Sequence, residues 1–119
     1  MQVLEDIHAA DNILADPGHA GNILAFNWLS VVPIATATGE TRTVKDPDKA
    51  GMMLHLMFVT DEGDATFTFD TACNGAGNST VILSAPGESA TFISTDDGSG
   101  GDTYNWASID GTNNGAAFS

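Results

Sequence analysis

Apolar and polar residues alternate most clearly between residues 52 and 71. Met52, Leu54, Leu56 and Phe58 take every second position, and Ala65, Phe67 and Phe69 do the same after a polar break. A period of two is that of a strand with one buried face. The break, Asp61-Glu62-Gly63-Asp64, is short and contains a glycine, so the spacing predicts a hairpin at the centre of the core. The opposite face of the first run, Met53, His55, Met57 and Val59, is also mostly apolar. A strand of that kind is covered on both sides, either by its own fold or by another chain.

From the N-terminus, Val3, Leu4, Ile7, Ala10, Ile13 and Leu14 fall at spacings of three and four. They share one face if residues 3–15 are helical. The competing reading is an extended arm over a neighbouring subunit, and a dozen residues need something to pack on in either form. Asp16-Pro17-Gly18-His19-Ala20-Gly21-Asn22 is a turn cluster that separates this arm from the body. Residues 23–32, with Phe26 and Trp28 on one face, read as the first body strand or two. Pro33 confines its surroundings to an edge or a loop, since it cannot donate to a ladder. Residues 34–38 alternate again. Thr41-Arg42-Thr43-Val44 reads as a short strand with its charge outward, and Asp46-Pro47-Asp48-Lys49-Ala50-Gly51 as a turn.

Beyond Thr71 the chain is punctuated by glycine. Residues 72–78 read as a loop, 79–84 as a strand, 89–95 as a strand, 103–109 as a strand and 116–119 as a last edge. Turn signals recurring every 8 to 12 residues point to an all-β fold. The expectation is a small antiparallel β-sandwich or barrel, jelly-roll-like, with an N-terminal arm or short helix. Residues 1–15 form the arm and 16–119 the body. No internal repeat of fixed length is visible.

Composition narrows the functional classes. A chain of 119 residues is one domain by size, long enough to bury about two-thirds of its unfolded surface. No apolar run approaches the ~18 residues of a membrane span, and the first residues lack the basic start and apolar stretch of a signal peptide. Sixteen acidic residues against three basic ones give a formal net charge of −13. That charge repels phosphate backbones and anionic lipid, so neither nucleic acid nor a membrane is an expected partner. Arg42, Lys45 and Lys49 lie in one short stretch that pairs either with the chain's own carboxylates or with an acidic patch on a partner.

Candidate chemistry is sparse. Asp61, Glu62 and Asp64, and later Asp96, Asp97 and Asp102, offer hard oxygen ligands, but neither loop has the alternating ligands and terminal Glu of the twelve-residue calcium pattern. His8, His19 and His55 have no ligand spacing, and Cys73 is alone. Ser30, Cys73 and Ser84 sit in no nucleophile signature. No catalytic, metal or cofactor site is expected, and the chain reads as non-enzymatic. Aromatic pairs Phe26/Trp28 and Tyr104/Trp106 supply either core or a stacking platform. Met53 and Met57 supply an adaptable apolar surface.

Three further stretches carry a likeness: Asp16-Pro17-Gly18-x-Ala20-Gly21-x-Ile23, Gly39-Glu40-Thr41-Arg42-Thr43-Val44, and the apolar strand entering Asp61-Glu62-Gly63-Asp64-Ala65-Thr66-Phe67. With Gly77-Asn78-Ser79-Thr80, the Pro86-Gly87-Glu88 turn and Tyr104-Asn105-Trp106, residues 16–115 resemble small structural proteins of tailed-phage virions, in the capsid decoration or cement class. The resemblance implies a β-rich domain, often trimeric, seated on the outer capsid where major capsid proteins meet. It implies assembly in the host cytoplasm, an arm lying along the shell, and no catalytic or cofactor residues. The arm itself, residues 1–15, matches no part of that pattern. The expected subunit or capsid contacts are Val3, Leu4, Ile7, Ile13 and Leu14 from the arm, the basic Arg42 and Lys45, and Met53 and Met57 from the central strand. A carbohydrate-binding or host-attachment module of a phage tail or fibre, using Trp28, Tyr104 or Trp106, is the alternative. A calcium-dependent β-module is a third.

Overall fold

The structure, a computed structural model, describes residues 12–109 and 114–119. It is all-β. Nine strands run in chain order: β1 Gly21–Ile23, β2 Leu29–Ala35, β3 Glu40–Val44, β4 Met53–Thr60, β5 Ala65–Phe69, β6 Thr80–Leu83, β7 Ser89–Asp96, β8 Tyr104–Ser108 and β9 Ala117–Phe118. They form two facing sheets, one ordered β1-β3-β5-β6-β9 and the other β2-β4-β7-β8. The sandwich expectation holds in this coarser sense. Neither sheet closes into a barrel, and neither is purely antiparallel.

The reason lies in the first half of the chain, where successive strands alternate between the sheets. As a result β1 pairs β3, β2 pairs β4 and β3 pairs β5, all in parallel. Gly21 lies beside Arg42, Leu29 beside Met53 and Glu40 beside Ala65, so the chain climbs as a flattened coil. This is a structural repeat without a sequence repeat. Only from β5 onward are neighbours antiparallel: β5–β6, β6–β9, β4–β7 and β7–β8.

The expected hairpin at 61–64 is therefore a corner between sheets. Leu54, Leu56 and Phe58 of β4 are fully buried, as are Ala65 and Phe67 of β5. A hairpin would set those apolar faces side by side, whereas the corner turns them to face each other across the core. It stacks on the preceding corner, at 36–39, through hydrogen bonds that continue the parallel coil. Thr36 N–H donates to the Thr60 carbonyl at 2.9 Å, and Glu40 N–H to the Asp64 carbonyl at 2.9 Å. The Thr36 hydroxyl donates to the Gly63 carbonyl at 2.6 Å and accepts from Glu62 N–H at 3.2 Å. At Gly63 a Cβ would overlap the Thr38 carbonyl carbon and the Gly39 nitrogen, so only glycine lets the two corners touch.

The core fills the space between the sheets. Val32, Ile34, Phe92 and Trp106 meet Ile23, Val44, Val81 and Leu83 from the opposite layer. Phe92 sits with its ring centroid 4.7 Å from that of Phe69. Trp106 Nε1 donates to the Lys45 carbonyl at 3.0 Å, tying β8 to the chain leaving β3. Pro33 lies on β2, an edge strand, where its missing N–H is tolerated.

Residues 23–32 hold the end of one strand and the start of the next, because β1 ends at Ile23 and β2 begins at Leu29. Phe26 and Trp28 fall in the link between the sheets and are 63% exposed, so of the two readings of this pair the core is excluded. One further expectation is corrected. Arg42 does not point outward: it shares the face of Val44 and is 1% exposed. Its guanidinium is held by Glu40, two residues back on the same strand face, and by Asp16, which sequence spacing does not connect to it. Nε donates to Asp16 Oδ1 at 2.6 Å, and Nη2 to Asp16 Oδ2 at 2.8 Å, Glu40 Oε1 at 3.0 Å and the Ala35 carbonyl at 3.1 Å. Asp16 also accepts from the N–H groups of Gly18 and Ala35. The cluster thus ties the start of the body to both sheets.

Candidate functional site

The inward residues of the β2-β4-β7-β8 sheet build the core, so its odd-numbered positions face out. Paired register arranges them in rows. Leu29, Met53, Ile93 and Ala107 form one row across the four strands. Val31, His55 and Thr91 form the next, and Pro33, Met57 and Ser89 the third. No Asp, Glu, Lys or Arg stands in any of them. Met53 and Met57 are 38% exposed and Val59, one step further along β4, is 52% exposed. These three side chains and Leu29 are the open ones, whereas Thr91 in the middle row is buried at 9% exposure. An apolar sheet face left open in this way is the surface expected of a protein contact.

His55 stands in the middle row. Its Nδ1 lies 2.8 Å from the Thr91 hydroxyl. Burial pushes its pKa below the ordinary histidine value, which favours the neutral ring. Val31 and Thr91 flank it from the adjacent strands, and neither carries charge.

The arm enters at one side of this face. Ile13 bridges Val31 on the free edge of β2, and Leu14 N–H donates to the Val31 carbonyl at 2.9 Å. Ile13 is 54% exposed, while Leu14 packs against the core. Val3, Leu4 and Ile7 lie outside the described residues. The structure thus brings Ile13, Met53 and Met57 to the same sheet and removes Arg42 into the interior. Lys45 is set apart on the other sheet, 3.1 Å from Asp70.

Acidic residues sit at both ends of the face, not on it. Asp61, Glu62 and Asp64 follow β4, and Asp48, Asp96, Asp97 and Asp102 lie at the opposite end. Several of these carboxylates cap their own turns. Asp61 accepts from Gly63 N–H at 2.9 Å, Asp96 from Gly98 N–H at 2.9 Å and Asp97 from Ser99 N–H at 2.8 Å. Bonds from Ser99 hold the Asp97 carboxyl below its ordinary pKa. Among the described residues no three His, Cys, Asp or Glu side chains converge into a metal-holding group.

The aromatic pairs part company. Trp106 is buried at 1% exposure, with Tyr104 half-buried beside it, so they form no open platform. Trp28 is open, with Lys49 Nζ 5.2 Å from its ring centroid. An open recess of about 280 Å³ lies along the β8 edge between Ala72–Gly75 and Asn105–Ser108. Cys73 is buried there, and burial pushes its thiol pKa up, away from the reactive thiolate. Periodicity pointed to Met53 and Met57. It missed Leu29, Pro33 and Ile93, which become neighbours only through the parallel and antiparallel registers.

No protein-family model and no curated protein sequence matches the chain.

Proposed function

We propose that this chain is a non-enzymatic virion structural protein of the capsid decoration, or cement, class. In this reading it docks on the outer face of a tailed-phage shell and stabilises it. The observation that carries the reading is the uncharged apolar face of the β2-β4-β7-β8 sheet, open at Met53, Met57 and Val59 in a chain with a net charge of −13. A cement protein needs a rigid body and a contact surface, with no reacting groups. A two-layer sandwich supplies the first and this face the second. The trimeric state and the major capsid protein as partner come from the resemblance of residues 16–115, and belong to the same proposal. Several weak contacts per oligomer then add through avidity.

Light scattering on the purified chain, with and without residues 1–15, is expected to give an oligomer in both cases. Co-sedimentation with assembled shells is expected for the full chain and to be lost on truncation. A monomeric full-length chain that fails to co-sediment would sink the proposal. A second reading, a sugar-binding or host-attachment module, is favoured by the open rings of Phe26 and Trp28. Quenching of Trp28 fluorescence by host-surface glycans, absent in Trp28→Ala, would support that reading instead.

A further inference from the structure

We infer that the open sheet face accepts a protein surface whose own apolar patch is rimmed by lysine and arginine, and not a second copy of this chain. The inference rests on the docking reading above and names the chemistry of the partner. Strand spacing makes the three rows on the order of 400 Å², whereas a stable contact covers about 800 Å² on each partner. Such a footprint exceeds the rows, and where it extends along the strands it spills over their ends into the loops. There it meets Asp61, Glu62 and Asp64 at one end and Asp48, Asp96 and Asp97 at the other.

A copy of this chain has at most one partly exposed lysine, Lys49, to offer those carboxylates. It holds three basic side chains in all. Arg42 is fully buried against Asp16 and Glu40, and Lys45 pairs with Asp70 on the other sheet. Lys49 lies 3.9 Å from Asp48 and over the Trp28 ring. Face-to-face self-docking would thus press acidic rim on acidic rim, and like charges across an interface are a strong barrier to the wrong partner. A basic rim reverses the sign. The uncharged centre then buries apolar area while the rim sets orientation and speeds encounter.

The test uses the full chain labelled at its methionine methyls and two synthetic amphipathic peptides of identical pattern, one leucine–lysine and one leucine–glutamate. The leucine–lysine peptide is expected to shift the Met53 and Met57 methyl signals and leave buried Met52 unmoved. The leucine–glutamate peptide should shift none. M53S/M57S should weaken the leucine–lysine affinity about tenfold, and raising the salt should weaken it further. L29S/V59S, from other positions on the face, provides the same reading if the first variant misfolds. Equal binding of both peptides, or shifts confined to the loops, would overturn the inference. So would an oligomer that dissociates in M53S/M57S. If the peptides fail while the chain still sediments with shells, only the basic rim is lost and the docking reading stands.

Discussion

Replacing Arg42 with methionine is expected to cost about 3 kcal/mol of folding stability, read as a fall of the thermal midpoint on the order of 10 °C. The guanidinium is fully buried, and Asp16 beside it is 17% exposed. Removing the cation leaves the largely buried Asp16 carboxylate with only the Gly18 and Ala35 N–H groups, while removing Asp16 instead leaves the buried guanidinium with Glu40 and the Ala35 carbonyl. Asp16→Ala should therefore be as damaging, and the double variant less so than the sum. Arg42 Nη1 is already buried without a hydrogen-bond partner among the described residues.

The same cluster has an acid signature. Burial raises the Asp16 pKa, but the bonds from Arg42, Ala35 and Gly18 and the guanidinium charge outweigh it and hold the carboxyl below its ordinary 3.8. Glu40 is also lowered, first by the Ala37 N–H and then by Arg42. A depressed carboxyl contributes stability that is present above the unfolded-state pKa and lost as pH falls through the folded one. Stability should thus drop below about pH 4 in the parent chain, and the drop should be shallower in Asp16→Asn. Urea midpoints across that range decide it. An Arg42→Met variant within 1 kcal/mol of the parent would show that the cluster is not structural.

The second large effect is expected at Trp106. Trp106→Ala should cost about 4 kcal/mol, because it empties the largest buried side chain and strands the Lys45 carbonyl. Trp106→Phe keeps most of the volume and loses the hydrogen bond, so it should cost about 1–2 kcal/mol. Urea unfolding separates the two, and fluorescence should show a blue-shifted component that disappears with Trp106 while that of Trp28 remains. Equal costs for both variants would mean that packing at this position contributes nothing measurable.

Local periodicity revealed which residues are buried, because a strand's side chains alternate whatever it pairs with. Leu54, Leu56, Phe58, Phe67 and Phe69 were legible for that reason, as were the turns at 46–51 and 85–88. Pairing was not legible. Alternation around 61–64 fits a hairpin and a corner between sheets equally, and the choice depends on whether β4 finds β2 or β5 first. Arg42 was misjudged because its charge suggested water, while its parity with Val44 placed it inside. Asp16, distant in sequence, is what makes that placement tolerable. Phe26 and Trp28 share one face only if the segment is a strand, and the link across the sandwich breaks that premise. Of the candidate site, Met53 and Met57 followed from their position opposite Leu54 and Leu56. Their apolar neighbours Leu29 and Ile93 needed a register that no local pattern encodes.

The parallel coil also dictates an order of events during translation. β2 has its ladder on β4, and β3 is flanked by β1 and β5. When the ribosome has delivered β2, its ladder on β4 has not yet been made, and most of the facing layer that will shield Val32 and Ile34 is still to come. Greasy nascent segments must wait through the whole 36–52 stretch, a delay in which tethering entropy works against closure. A strongly anionic chain keeps such waiting copies apart on neighbouring ribosomes.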